Sequence, residues 1–384
     1  MGITAPSNSE PLHRNDRTMR YRPLGSTGLE VSALSFGCMR LSSDQDLNTR
    51  LISTAIDNGI NYFETTRHYI EGTCQHKTAP GLKGRTAGII VSGKEGIRPD
   101  STAYLFRKEI QRQLEILELS HFKFFQVGWF CWELMPHLLK PGGVLDGLRR
   151  ARREGLVRHI GFTGHDKPDN FMKCIETGLF DSITVPYNML NRSYEQVIAR
   201  AGELGMGVVA MCPVAGGVLS NESREISRGL AVDMPTTEAA LRFVLSNPNV
   251  STACSGMSTM EQLEQNVATV KQFDPQEKPV FDSMREGIDR MNEILGKNFC
   301  TGCQYCIPCP HDVPVPMYME MYRQWKLFGY EDHVRKALNS FKTDKFVTDL
   351  SACTRCGMCE EKCPGGVAIR RLLEELMEMR EGVS

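Results

Sequence analysis

Fourteen cysteines occur in this 384-residue sequence, and eight of them fall in two short runs near the C-terminus. The first reads Cys300-x-x-Cys303-x-x-Cys306-x-x-Cys309-Pro310, and the second Cys353-x-x-Cys356-x-x-Cys359-x-x-x-Cys363-Pro364. Short C-x-x-C loops deliver several thiolates to one small inorganic core, which is what an iron–sulfur cubane needs. The proline after each last cysteine sends the chain away from that core. Structural zinc also uses C-x-x-C, but two pairs about 15–20 residues apart are enough for one ion. Four evenly stepped cysteines in one loop exceed that need. A disulfide framework suits short secreted domains rather than a chain of this length.

The second run resembles the bacterial ferredoxin pattern, in which the fourth cysteine ligates the other cluster. That pattern implies one 4Fe–4S cluster on Cys300, Cys303, Cys306 and Cys363, and another on Cys353, Cys356, Cys359 and Cys309. The first run has one residue fewer before Cys309 than the pattern has. Of the other cysteines, Cys38, Cys131, Cys174, Cys212 and Cys254 mostly lie in apolar segments and read as small core hydrophobes. Cys74 is placed in a polar loop beside His76.

The elements that must position such groups come from the preceding residues. At 41% hydrophobic and 24% charged, with a net charge of −1, the composition is that of an ordinary globular protein. It carries no basic footprint for nucleic acid, no apolar run of about 18 residues to span a membrane, and no secretory apolar stretch in residues 1–18, which read as a flexible tail. Thiolate-ligated clusters favour a reducing compartment, so a cytoplasmic location is expected.

Upstream of Phe273 one phrase repeats: an apolar strand, a turn, an amphipathic helix. The strands are Val31–Gly37, Asn61–Thr65, Gly88–Lys94, Phe122–Gly128, His159–Gly164, Ser182–Asn188, Gly207–Pro213 and Thr252–Gly256. Helical patterns include Ser101–Leu117, Gly142–Glu154, Asn170–Thr177, Tyr194–Leu204 and Thr237–Leu245. Continuous apolar strands belong to parallel sheets buried on both faces, and eight such units predict a (β/α)8 barrel. Before them, residues 21–31 read as a β-hairpin that plugs the bottom. The division is thus a tail (1–18), a barrel (19–273), and a linker helix with a mainly helical, ferredoxin-like two-cluster domain (274–384). Within the last, Met317–Lys342 and Ile369–Arg380 read as helical, and Met317–Trp325 is expected to pack on the barrel.

The barrel segment resembles the aldo-keto reductase family. The carriers are Tyr21-Arg-Pro-Leu-Gly-x-Thr-Gly-Leu-x-Val-Ser32, Asp57-Asn-Gly-Ile-Asn-Tyr-Phe63, Glu154-Gly-Leu-Val-Arg-His-Ile-Gly161, Val185-Pro-Tyr-Asn188, Gly216-Gly217, Gly256-Met257 and Gln262-Leu-x-x-Asn266. Fusion to the cysteine runs implies, within that resemblance, the family's iron–sulfur branch. The resemblance implies carbonyl reduction by a nicotinamide hydride, with a tyrosine as general acid beside a lysine–aspartate pair and a histidine that orients the carbonyl. Those positions fall on Tyr69, Lys94, Glu64 in place of the aspartate, and Gly128 in place of the histidine. Losing one positioned group typically costs ~10²–10⁴-fold in rate. His68, His76 and His165, all expected in loops at the barrel mouth, are candidates to replace it. Arg67 beside them, with Lys94, hints at an anionic ligand, and Trp129-Phe130-Cys131-Trp132 either lines the space freed at Gly128 or joins the core.

The resemblance also implies a nicotinamide nucleotide along Asn188, Met211, Pro213, Val214, Gly216, Gly217 and Leu219, with its adenosine end at Gly256, Ser258, Thr259, Gln262 and Asn266. No Arg or Lys stands between Gly256 and Asn266 to clamp a 2′-phosphate, so NADP and NAD both stay open. A hydride carries two electrons and a cluster passes one; a bound flavin would reconcile them. The expected function is an iron–sulfur oxidoreductase that reduces a carbonyl or oxidises an alcohol, exchanging electrons with a ferredoxin or another electron-transfer protein. The alternatives are an electron-transfer reductase without hydride transfer and a non-catalytic redox partner.

Overall fold

The computed structural model describes residues 18–217, 219, 234–274, 300, 305–328, 330–344, 347–363 and 366–382. The tail and most of the linker Asp274–Leu295 lie outside them. A hairpin comes first, with β1 (Tyr21–Pro23) antiparallel to β2 (Glu30–Ser32). Then follow β3 (Leu34–Gly37), β4 (Tyr62–Glu64), β5 (Ile90–Gly96), β6 (Phe122–Gly128), β7 (Val157–Thr163), β8 (Ser182–Pro186), β9 (Gly207–Met211) and β10 (Thr252–Ser255). These last eight are all parallel and close into a barrel as β10 returns to β3. Every predicted strand is present, within a few residues of its expected ends.

Around the barrel run α1 (Gln45–Asp57), α2 (Cys74–Leu82), α3 (Ala103–Leu117), α4 (Met135–Leu139), α5 (Val144–Arg153), α6 (Pro168–Glu176), α7 (Glu195–Glu203), α8 (Thr236–Ser246) and α9 (Met260–Gln272). Side-chain caps start three of them: Asp44 on α1, Thr102 on α3 and Thr259 on α9 each accept a backbone N–H, satisfying a donor the helix leaves open. Between strands and helices, fully buried rings such as Phe36, Phe63, Phe125 and Phe162 fill the main core. Each contributes about 1.5–3 kcal/mol by leaving water.

The hairpin does plug the barrel. Leu24 and Val31 are fully buried and pack with Tyr62, Ile90, Phe124 and Val209 inside it. At the turn, Gly25 has φ +57°, and a side chain there would meet Gly205 O at 2.4 Å, so glycine is required for the close approach.

One expectation fails in α2. Cys74 and His76 stand in this helix, not in a loop, and Cys74 is fully buried. Its thiol lies 3.4 Å from Thr65 Oγ1 and donates to Cys38 O. With a proline and a glycine inside, the segment has poor intrinsic helicity. Packing imposes the helix: Gly81 lies so close to α1 that a Cβ there would sit 2.5 Å from that of Ile52.

The C-terminal unit has its own core. Helices α10 (Val315–Phe328), α11 (Glu331–Ser340), α12 (Met358–Glu361) and α13 (Ile369–Glu381) gather Tyr318, Tyr322, Leu338, Leu372 and Leu376. The buried face of Met317–Trp325 thus goes into this second core rather than onto the barrel as expected, because Tyr318, Met319 and Tyr322 pack with α13 side chains there. Among the described residues, no helix is long and apolar enough to cross a membrane.

Candidate active site

The C-terminal ends of the parallel strands carry the chemistry-bearing side chains, as barrels generally arrange them. Glu64 ends β4, and Lys94 stands two residues before the end of β5. The register pairs Glu64 with Ser92 and Lys94 with Gln126, so the two charged side chains meet inside the barrel. Lys94 Nζ donates to Glu64 Oε1 at 2.6 Å, with both residues buried. The same ammonium donates to the Tyr69 hydroxyl and lies 4.5 Å from that ring's centre. Tyr69 itself comes from the loop after β4.

The far carboxylate oxygen is also held. Gln126 Nε2 donates to Glu64 Oε2 at 3.3 Å and to Ser92 Oγ at 2.9 Å, while Thr184 Oγ1 donates to Gln126 Oε1 at 2.7 Å. Every member of this buried chain has a partner, which removes the penalty of an unpaired polar group. The longer reach of Glu over Asp is therefore accommodated. Gln126 was no candidate on sequence, because it reads as one polar residue in an apolar strand.

The electrostatics follow. Burial acts against the Lys94 ammonium, but Glu64 and Tyr69 outweigh it and hold its pKa above the ordinary lysine range. Burial raises the Tyr69 phenol; the Lys94 charge opposes this and recovers only part of it. Tyr69 is thus a protonated phenol across the neutral range, hydrogen-bonded to a permanent cation. The family logic of a phenol brought down by lysine holds here as one of two opposed effects, and burial is the larger.

Around Tyr69 the candidates separate. Trp129, with φ +51° after Gly128, sets its ring edge-on to both His68 and Tyr69, at 5.5 and 6.2 Å. Phe130 is core. His68 Nε2 lies 2.7 and 2.9 Å from the two oxygens of Glu95, a buried carboxylate that sequence reading passed over. Arg67 pairs with Glu109 and stands 3.7 Å from Glu95, so its charge is already balanced. That removes the hint of an anion site, as Lys94 is balanced by Glu64. Gly128 is buried, yet the nearest atoms to a Cβ there would be Glu95 O, Glu95 C and Lys94 Cβ, at 3.5–3.6 Å. Packing alone does not demand glycine.

His165, in the loop after β7, is half-buried. Burial first, and the Lys94 charge second, lower its pKa to about 4, so it is a neutral imidazole at physiological pH. Its ring centre lies 5.6 Å from that of Tyr305, in the first cysteine run.

In the loop after β9, Cys212, Ala215, Gly216 and Gly217 all have positive φ. Gly216 and Gly217 are exposed, Val214 and Met211 are partly so, and Pro213 and Leu219 are buried. Thr163 Oγ1 stands 3.9 Å from Met211 Sδ. Asn188 is engaged within the protein: its amide donates to Cys212 O and accepts from Leu190 N and Asn191 N. At the start of α9, Thr259 caps the helix, Gln262 Oε1 accepts from Ser258 N, and Asn266 donates to Ser255 Oγ. A cation does stand here, brought from the turn after β3. Ser258 Oγ donates to Arg40 O, and a side chain at Gly256 would meet Arg40 Cγ at 2.8 Å. Sequence proximity gave no sign of it.

In the second unit, all the predicted cluster ligands except Cys303 fall among the described residues. Cys306 is buried in the second core, and Cys300, Cys309, Cys353, Cys359 and Cys363 pack against it. Side chains tie the two runs together: Thr354 Oγ1 lies 2.8 Å from His311 Nε2, and Lys362 Nζ donates to Pro308 O at 3.4 Å. Arg323 Nη1 further donates to Cys300 O at 2.6 Å. Among the described residues, no three His, Cys, Asp or Glu side chains close in as they would on a single ion. A cubane holds its thiolates farther apart than one ion does, and two adjoining sulfur-rich loops on an apolar floor fit that group.

A sequence profile described as the Aldo/keto reductase family matches residues 33–286, and one described as a 4Fe-4S dicluster domain matches residues 299–369. The chain is 27% identical over 289 residues to L-galactose dehydrogenase of Arabidopsis thaliana, covering 67% of this chain and 89% of that one. It is 24% identical over 284 residues to the uncharacterized oxidoreductase YqkF of Bacillus subtilis (strain 168), covering 65% and 90%. Among solved structures, the holo form of aldo-keto reductase AKR11C1 from Bacillus halodurans superposes with a TM-score of 0.63, at 24% identity, over 70% of this chain and 96% of that one. Barrel topology and a profile running through all eight barrel strands agree, and the protein belongs to the aldo/keto reductase family as an oxidoreductase with a C-terminal 4Fe–4S domain.

Proposed function

We propose that the barrel transfers hydride between a nicotinamide nucleotide and a carbonyl or alcohol at Tyr69, and that two 4Fe–4S clusters link it to an electron pool. The observation that carries this reading is the continuous chain Gln126–Glu64–Lys94–Tyr69 at the strand ends. When bound, the nicotinamide supplies or accepts the hydride, and the clusters pass single electrons. The protein's own work is proton transfer. As a carbonyl carbon gains hydride, its oxygen takes the Tyr69 phenolic proton, leaving a phenolate beside the Lys94 ammonium. Glu64 holds that ammonium in place, and Gln126 holds Glu64. In alcohol oxidation the same proton returns to the phenolate.

With no side chain at Gly128, His165 is the better substitute as carbonyl-orienting donor, being neutral and only half-buried in the loop after β7. His68 is already committed to Glu95. The loop from Met211 to Gly217 would receive the nicotinamide and pyrophosphate, with Asn188 shaping the loop from within. Thr259, Gln262 and Asn266 would border the adenosine, and Arg40 offers a cation there that suits a 2′-phosphate. Cys300, Cys303, Cys306 and Cys363 would hold one cluster, and Cys353, Cys356, Cys359 and Cys309 the other, in a reducing cytoplasm. The likeness to L-galactose dehydrogenase makes small hydroxylated aldehydes and sugars the first substrates to try.

Calorimetric titration of anaerobic, iron-replete protein with NADPH and NADH tests this. Micromolar binding of either is the expected result. No binding by either, with iron intact, would end the hydride reading. It would favour one-electron reduction of another ligand, the alternative for which the bare Gly128 speaks.

A further inference from the structure

Resting on the reading that the cysteine runs hold clusters, we infer that Tyr305 docks the first run onto the barrel mouth at His165, so that the group on Cys306 lies beside the Tyr69 pocket. The platform on the barrel side is rigid. Gly164 lies so close to Phe130 that a Cβ would meet Phe130 O at 2.1 Å. Asp166 Oδ2 accepts from Trp132 N at 2.8 Å, its Oδ1 from Asn170 Nδ2 at 3.0 Å, and its carbonyl from the Tyr194 hydroxyl. His165 is thus held on both sides by neighbours locked to the barrel. Against this fixed ring packs Tyr305, tilted 58° with ring centres 5.6 Å apart.

Tyr305 immediately precedes Cys306, and consecutive Cα atoms are about 3.8 Å apart. A group on the Cys306 thiolate therefore has only one residue and one ring contact between itself and His165. His165 follows the C-terminal end of β7, at the same mouth of the barrel as the Lys94–Tyr69 pair. Tyr305 is a positioning residue: its ring sets where the first run stands over the pocket.

Histidine-labelled, iron-replete protein, observed by NMR before and after anaerobic reduction with dithionite, tests the docking, since an unpaired electron broadens nearby nuclei steeply with distance. His311, bonded to Thr354 beside the second run, is the positive control. His121, which precedes β6 at the opposite end of the barrel, is the negative one. His165, assigned by the loss of its signal in His165→Gln, is expected to broaden or shift with His311 while His121 stays unchanged. Tyr305→Ala should relieve His165 and spare His311, and Tyr305→Phe should restore the effect, as the ring carries the contact. A responding His311 with a silent His165 overturns the docking alone. A silent His311 in protein that takes up dithionite electrons overturns the cluster reading beneath it, and this inference with it.

Discussion

Replacing Tyr69 with phenylalanine is expected to lower nicotinamide-dependent carbonyl reduction by ~10²–10⁴-fold, the usual contribution of one positioned general acid. Stability should hardly change. The ring keeps its edge contact with Trp129 and its place beneath Lys94, and only a hydroxyl is lost. The pH profiles carry the mechanism. Reduction needs the phenol protonated, and burial raises its pKa above the tyrosine value of ~10. In the native protein, reduction should therefore stay level through neutral pH and fall only in strong alkali. Alcohol oxidation needs the phenolate and should climb with pH over the same range. Tyr69→Phe should flatten both. Steady-state kinetics in both directions read this out, and a variant with unchanged kcat would remove Tyr69 from the mechanism.

Lys94→Met should cost both activity and stability. It leaves the Glu64 carboxylate buried with a hydrogen bond from Gln126 but no counter-charge from Lys94, and breaking a buried pair from one side typically costs about 3–5 kcal/mol. The double variant Glu64→Gln, Lys94→Met removes the orphaned charge, so it should recover much of the stability and none of the activity. Calorimetric unfolding of the barrel with parallel assays separates the two effects. Because Glu64 and Tyr69 raise the Lys94 pKa, the pair's stabilisation is present below the unfolded-state lysine pKa of ~10.4 and is lost as pH rises through the higher folded value. At neutral pH it is fully in place. Equal stability of native and Lys94→Met proteins would mean that the buried pair adds nothing net to the fold.

The strands were legible in the sequence because a parallel strand buried on both faces must be mainly apolar, as Phe122–Gly128 is apart from Lys123 and Gln126, and Ser182–Pro186 apart from Ser182 and Thr184. The hairpin was legible through Gly25 and Gly28, both of which have positive φ. The juxtaposition of Glu64, Tyr69 and Lys94 followed from family resemblance and fits the register of adjacent strands. What escaped depends on contacts between distant segments. Gln126 matters because β6 pairs with β5, Arg40 because its turn lies over Gly256, and Tyr305 because a cysteine loop reaches the barrel mouth. None of these leaves a periodic trace. Helix α2 was missed for a related reason: packing of Gly81 on Ile52 overrides the poor propensity of its sequence. Arg67 misled because its partners, Glu95 and Glu109, stand far along the chain.

The central claim is that hydride moves from a nicotinamide to a carbonyl beside Tyr69. It is tested most directly with anaerobic protein, a panel of aldehydes and hydroxylated sugars, and reduced nicotinamide nucleotide deuterated at either face of its hydride position. Mass spectrometry of the alcohol should find deuterium on the former carbonyl carbon from one face only, and Tyr69→Phe should form that product ~10²–10⁴-fold more slowly. Reduced product without deuterium from either face, formed while the clusters are reoxidised, would contradict hydride transfer and assign the reduction to cluster electrons and solvent protons.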